Sequence, residues 1–344
     1  EPKLMSSYLL PREKLNHFLA SLVGFQVWAP VTRDGSCSFE PVAGSLDSVE
    51  IDLQHQPLPA KKAVFPQTET LFTFGREGVL KEADLTAGPE ILIFGIRPCD
   101  ARSLALLDPV FEDTFPDPYY LTRRGRTILF GMACTAPFAN CFCTSIGGDP
   151  FSTGGLDLRV TEGDDLFLID VITGRGQSII DASDTSLLKP ASEKDWQENE
   201  RRARNARGLI SRQADISSVP EKLASLFDHP LWKGFADKCI GCGICTYTCP
   251  TCYCFDMQDE ASARQGRRVR TWDSCMFAEY TLHASGHNPR PTRASRFRNR
   301  IYHKFKFNQD NYGALSCVGC GRCTSLCPAN IDLMECLSAV KDTA

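Results

Sequence analysis

Seventeen of the 344 residues are cysteine, and eight of them fall into two copies of one pattern. The first copy is CIGCGICTYTCP, with Cys239, Cys242, Cys245 and Cys249 ahead of Pro250. The second is CVGCGRCTSLCP, with Cys317, Cys320, Cys323 and Cys327 ahead of Pro328. Both read C-x2-C-x2-C-x3-C-P, the spacing that wraps thiolates around a [4Fe–4S] cube in bacterial ferredoxins. Gly241, Gly243, Gly319 and Gly321 let the backbone bend close enough to aim N–H groups at cluster sulfurs, and each Pro ends the local helix. In two-cluster ferredoxins the fourth cysteine ligates the other cluster. Cluster 1 is therefore expected on Cys239, Cys242, Cys245 and Cys327, and cluster 2 on Cys317, Cys320, Cys323 and Cys249. Zinc sites commonly use two separated C-x2-C knuckles, which leaves the three-plus-one pattern and its Pro unexplained.

Four more cysteines stand outside these motifs: Cys99 in IFGIRPCDAR, and Cys134, Cys141 and Cys143 in CTAPFANCFC. Four is the count that one more cube needs. The first group follows the strand-like ILIFGI and the second follows TILFGMA. Two neighbouring strands would deliver both loops to one end of a sheet. Pro98 and Gly147–Gly148 suit irregular backbone around a ligand, and Arg97 and Arg102 could balance its charge. Buried thiols are the competing reading, with zinc a lesser one. A C-x-C pair is poor core material, because its side chains face opposite ways in a strand. A third [4Fe–4S] cluster on Cys99, Cys134, Cys141 and Cys143 is the expectation. Cys252, Cys254 and Cys275 make only three, unless Cys336 or Cys37 joins them. Their open roles are to tune or shield the clusters, to pack as thiols, or to belong to a further site.

The two motifs are separated by 67 residues, and this insertion is basic. From Arg264 to Lys306 it carries eleven Lys or Arg against Asp273 and Glu279. Buried anionic cubes need cations and N–H donors nearby, and RFRNRIYHKFKF could supply both. Docking of an acidic partner and nucleic-acid binding are the lesser readings. His283, His287 and His303 lie among Arg and Gly with no ordered base–nucleophile spacing, so packing and hydrogen bonding are their expected roles.

The elements that must position these groups divide the chain in three. Residues 1–190 alternate short strand-like and helix-like runs, such as PREKLNHFLASLVG, VEIDL, TLFTF and EILIFGI, and read as an α+β domain. Residues 191–236 form a helical linker, polar at first and with Ser192 as its cap. Residues 237–344 form a two-[4Fe–4S] ferredoxin-like domain, expected to be poor in helix and organised by its metals more than by an apolar core. A hydrophobic share of 42% and a net charge of −4 fit a globular chain and argue against a general nucleic-acid binder. The odd, clustered cysteines suggest metal–thiolate chemistry in a reducing compartment rather than a disulfide framework. The apolar run HFLASLVGFQVWAPV is too short to span a bilayer, so a cytoplasmic protein is expected, with Met5 a candidate native start after the residues EPKL.

Taken together, CPTCYCFD, RTWDSCMF, HASGHNPRPT, RFRNRIYHKF and CVGCGRCTSLCP resemble, in that order, the iron–sulfur β subunit of sulfhydrogenase-type NAD(P)-linked [NiFe] hydrogenases. The resemblance extends upstream through FPQTETLFTF, IFGIRPCDARSLALLD, DPYYLTRR and NCFCTSIGG, and so covers nearly the whole chain. The related iron–sulfur subunit of anaerobic sulfite reductase shares the same plan. The resemblance implies an electron relay between a flavin subunit holding FAD and NAD(P) and the hydrogenase small and large subunits. In the alternative, electrons go to a sirohaem sulfite reductase subunit. Neither a [NiFe] ligand pattern nor a Gly-rich dinucleotide fingerprint is present in this sequence, so no catalytic residue is assigned here.

Overall fold

The computed structural model describes residues 4–42, 56–75 and 80–343; the strand-like VEIDL lies outside the described residues. Its N-terminal half is built on one mixed sheet of eight strands. These are β1 (Ser6–Pro11), β2 (Phe25–Arg33), β3 (Ser36–Pro41), β6 (Glu90–Ile96), β7 (Thr127–Met132), β8 (Leu158–Glu162), β9 (Leu166–Val171) and β10 (Lys189–Pro190). Their spatial order is β10-β1-β9-β8-β7-β6-β2-β3, with the run β8-β7-β6-β2 parallel and the flanks antiparallel.

The central strands are apolar because both their faces are covered, as in other parallel sheets. Every residue of β7, TILFGM, is buried. Alternate residues serve opposite faces. Leu92, Phe94, Ile128 and Phe130 pack with Phe18, Leu19, Ile179 and Ile180 on one side. Ile93, Ile96 and Leu129 pack with Leu104, Leu107 and Phe111 of the helix Pro98–Phe111 on the other. Because β6 and β7 are adjacent and parallel, the loops after them leave from the same edge of the sheet. The ladder slips by one residue at Gly95, whose φ of +81° suits a bulge. Pro98 then starts the helix at its first turn, where its fixed φ fits and its missing N–H is no loss.

A second sheet joins both halves of the chain. It has the antiparallel order β11-β12-β4-β5, made of β4 (Thr68–Gly75), β5 (Leu80–Glu82), β11 (Phe255–Ala261) and β12 (Gln265–Trp272). The basic insertion thus begins as a hairpin on an N-terminal strand. Arg270, 3% exposed, ties the junction by bonding Glu69 Oε1 through Nε at 2.8 Å and pairing with Asp117. Trp272 stacks on Phe65 at 5.9 Å and donates its indole N–H to the Phe65 carbonyl at 3.1 Å.

The C-terminal region is richer in helix than expected and has a substantial apolar core, which Phe142 and Ile146 from the segment after β7 also join. Helices Leu231–Lys238, Arg293–Tyr302 and Leu333–Asp342 supply Trp232, Phe297, Ile301, Tyr302, Leu337 and Val340 to it. The reason lies in RFRNRIYHKFKF. Phe297, Ile301 and Phe305 recur every four residues and face inward, through a wide π turn over His303–Phe307. Among the described residues, no helix is long and apolar enough to cross a membrane.

Candidate metal centres

Cys239, Cys242 and Cys245 converge with Cys327 on one cavity, which Cys323 and Arg300 also line. Gly241 and Gly243 bend the first loop through left-handed backbone, with φ of +72° and +77°. Two backbone donors already point at sulfur. The Gly241 N–H donates to Cys239 Sγ at 3.4 Å, and the Ile331 N–H donates to Cys327 Sγ at 3.3 Å. Cys242 is exposed beside Ile240, so this corner of the cavity opens to the surface. Burial pushes the Cys245 thiol up to about 11.

In the second motif Cys320, Cys323 and Cys327 are half-buried. Cys317 is buried, and burial raises its thiol to about 11 and that of Cys320 further still. Cys317 and Cys320 both feel Cys249 and Cys323 as electrostatic neighbours. Burial opposes charge on Lys304 and Arg300. Nevertheless the thiols hold both above their ordinary values, Cys249 acting on Lys304 and Cys245 and Cys323 on Arg300. Lys304 Nζ donates to Thr251 Oγ1 at 2.9 Å and to the Ser316 carbonyl at 3.1 Å. Much of the insertion's positive charge is therefore inside the protein, with Arg296, Arg300 and Lys304 all buried.

Cys99, Cys134, Cys141 and Cys143 line a second cavity of about 370 Å³. It is roomier than the cavity at the first motif, which is about 40 Å³. Cys99 enters on the first turn of the helix Pro98–Phe111, where the helix dipole favours negative charge. The other three thiols come from the loop after β7. Burial raises all four, Cys141 to about 11 and Cys143 to about 12. Thiols that resist ionisation this way become thiolates when a metal supplies the positive charge. Cys320 of the second motif lines this cavity as well.

Both cavities carry an orphaned cationic nitrogen in their walls. Arg300 Nε and Arg102 Nη1 are buried with no hydrogen-bond partner among the described residues. A sulfur-rich anion would satisfy them, so the residues present fit an iron–sulfur group. No three of the described His, Cys, Asp or Glu side chains stand close enough to hold a single metal ion.

Residues 238–331 match the family described as 4Fe-4S dicluster domain. Over 324 residues, covering 92% of each protein, the chain is 33% identical to sulfhydrogenase 2 subunit beta of Pyrococcus furiosus. This chain belongs to the sulfhydrogenase β-subunit family. As a β-type chain with a [4Fe–4S] domain, it is an iron–sulfur electron-transfer subunit.

In this β-type chain Cys249 and Cys317 of the motifs line neither cavity, and nor do Cys252, Cys254 and Cys275 beside them. The Cys252 thiol donates to Cys249, which lowers Cys249 and raises Cys252. The Cys275 thiol does the same to Cys254, bringing Cys254 down to about 6. Cys336 and Cys275 belong to the same apolar core, with Cys254 packed against it, and Cys37 lies on β3. Lys61 sits fully buried against this group, 4.2 Å over the Trp272 ring, with Nζ donating to the carbonyls of Cys249, at 3.0 Å, and Cys252. Nothing in LPAKKAVF singles Lys61 out, because its partners lie far along the chain. His303 donates to or accepts from the Tyr253 hydroxyl at 2.9 Å, while His283 and His287 are exposed.

Proposed function

We propose that this chain relays electrons through three [4Fe–4S] clusters between a flavin subunit carrying FAD and NAD(P) and the small and large subunits of a [NiFe] hydrogenase. Cluster 1 is assigned to Cys239, Cys242, Cys245 and Cys327, cluster 2 to Cys317, Cys320, Cys323 and Cys249, and cluster 3 to Cys99, Cys134, Cys141 and Cys143. Each cube, when bound, takes up and gives back one electron at its iron ions.

The observation that carries the reading is the sharing of motif residues between cavities. Cys323 borders the cavity of cluster 1, and Cys320 borders that of cluster 3. The second-motif loop therefore stands between the other two sites, and the order along the wire is 1–2–3. The chain's own residues do the rest. Thiolates hold the iron, backbone N–H groups of Gly241 and Ile331 bond to ligand sulfurs, and Arg300 and Lys304 stay charged to offset the anions. The exposed corner at Cys242 gives cluster 1 an outlet toward a partner.

The test is anaerobic purification of the native complex, with metals and co-purifying subunits identified. A nickel-containing pair of subunits supports the hydrogenase reading, and a sirohaem subunit replaces it with the sulfite reductase alternative. About twelve irons on the full chain agree with three cubes, and about eight remove cluster 3.

A further inference from the structure

Between the second-motif loop and the Cys99 loop lies an ion pair that the relay reading does not use. Asp100 follows Cys99, and Arg322 stands between Cys320 and Cys323. Arg322 Nη1 and Nη2 bond the two Asp100 carboxylate oxygens at 2.5 and 2.7 Å, and Nε donates to the Gln56 carbonyl at 2.7 Å. Both residues are almost fully buried, at 3% and 1% exposure. Desolvating two charges costs several kcal/mol per ion, and a well-packed apolar pair is often no less stable. A buried charge here acts on whatever anion lies beside it, through a medium that screens weakly.

Arg322 faces two such groups. Its bond to Asp100 sets it one residue from Cys99, and in its own loop it lies two residues from Cys320 and one from Cys323. The loops around it are locked. The Phe142 N–H donates to the Gly319 carbonyl at 2.8 Å, and a Cβ on Gly319 would fall 2.6 Å from Cys143 Cα. These contacts hold the second-motif loop directly against the loop that carries Cys141 and Cys143.

We propose that Arg322 and Asp100 form a fixed electrostatic bridge between clusters 2 and 3, Arg322 raising and Asp100 lowering the reduction potentials of both. This rests on the reading of the Cys99 quartet as a cluster site. A reduced cube carries one more negative charge than an oxidised one, so a nearby cation favours reduction and a nearby carboxylate opposes it.

The test is an EPR-monitored redox titration of the full complex. Arg322→Gln should lower both midpoint potentials and Asp100→Asn should raise them, each by about tenfold in the ratio of reduced to oxidised cluster, about 59 mV for a one-electron couple. Arg322→Lys, which keeps the charge, should move them least. About eight irons on the unmodified full chain, two cubes' worth, would overturn both the quartet reading and the bridge. About twelve irons with potentials unmoved, or moved the same way in the Gln and Asn variants, would overturn the bridge alone. If Arg322→Gln does not assemble, Asp100→Asn decides, and an unchanged or lowered potential rejects the proposal.

Discussion

Cys239, Cys242 and Cys245 reach their cavity from seven consecutive residues, whereas Cys99 and Cys143 stand 44 positions apart and reach theirs from two strand ends. The first arrangement is local: glycines in left-handed backbone curl one loop around a space. The second is built by the sheet, since only the parallel pairing of β6 with β7 brings both loops to one edge. A local site tolerates change far away and fails at its own loop. A sheet-built site inherits every error in how the halves are packed. The two types meet at the second-motif loop, whose Gly319 and Gly321 press against Cys143 and Asn140 of the N-terminal loop.

The comparison breaks most directly at the cysteines. Ser at both Cys141 and Cys143 should remove about four of roughly twelve irons and leave the two motif clusters reducible, as read by iron assay and EPR. If the motif signals vanish with the quartet, the sites are not separable. Gly319→Ala comes next. It combines a φ of +64° with a Cβ only 2.6 Å from Cys143 Cα, so it should cost about 2–4 kcal/mol in denaturant unfolding and loosen the quartet. Gly147→Ala shares the backbone strain, at φ +71°, but its nearest neighbour is Arg102 Nη2 at 3.7 Å, so about 1 kcal/mol is expected. Equal losses at the two glycines would deny that the contact between loops matters.

His303 sharpens the picture of the C-terminal region as a packed, not merely metal-held, unit. Burial, with Lys304 adding to it, lowers its imidazole to about 4. A base depressed below its unfolded value of about 6.5 binds its proton more readily when unfolded. Stability from this residue is thus complete above about pH 6.5 and is lost as pH falls toward 4, by up to roughly 3 kcal/mol. His303→Gln should flatten unfolding free energy across that window; an unchanged slope would reject the assignment. The smallest effect is expected on the hairpin. Arg267 and Arg268 pair with Glu260 and Asp259 at the surface. Replacing both with Ala should leave the melting temperature unchanged, and the unmodified chain should show no steep salt-dependent affinity for RNA.

The ligand spacing of the two motifs is legible because chemistry sets it locally: three thiolates on one loop must fit one cube. The strand-like ILIFGI and TILFGMA are legible as central strands because they are apolar on both faces, and they are β6 and β7. The hairpin of β11 and β12 is not, since its exposed face is charged and its partner β4 lies almost 200 residues upstream. The C-terminal helices are partly masked for a related reason. The basic residues of RFRNRIYHKFKF hide the apolar face of Phe297, Ile301 and Phe305; Arg300 and Lys304 turn inward beside thiols, whereas Arg296 bonds the carbonyls of Met276, Arg290 and Pro291.

The sequence by itself determined that this chain handles iron through thiolates, and it marked four cysteines beyond the motifs as a further set. Short-range geometry and ligand count suffice for that. Only the tertiary structure decided that the four share a cavity, that Cys320 and Cys323 border neighbouring ones, and that Arg322 and Asp100 lie between them. Those facts depend on long-range strand pairing and on buried charges finding partners, which local spacing and residue pattern do not reveal.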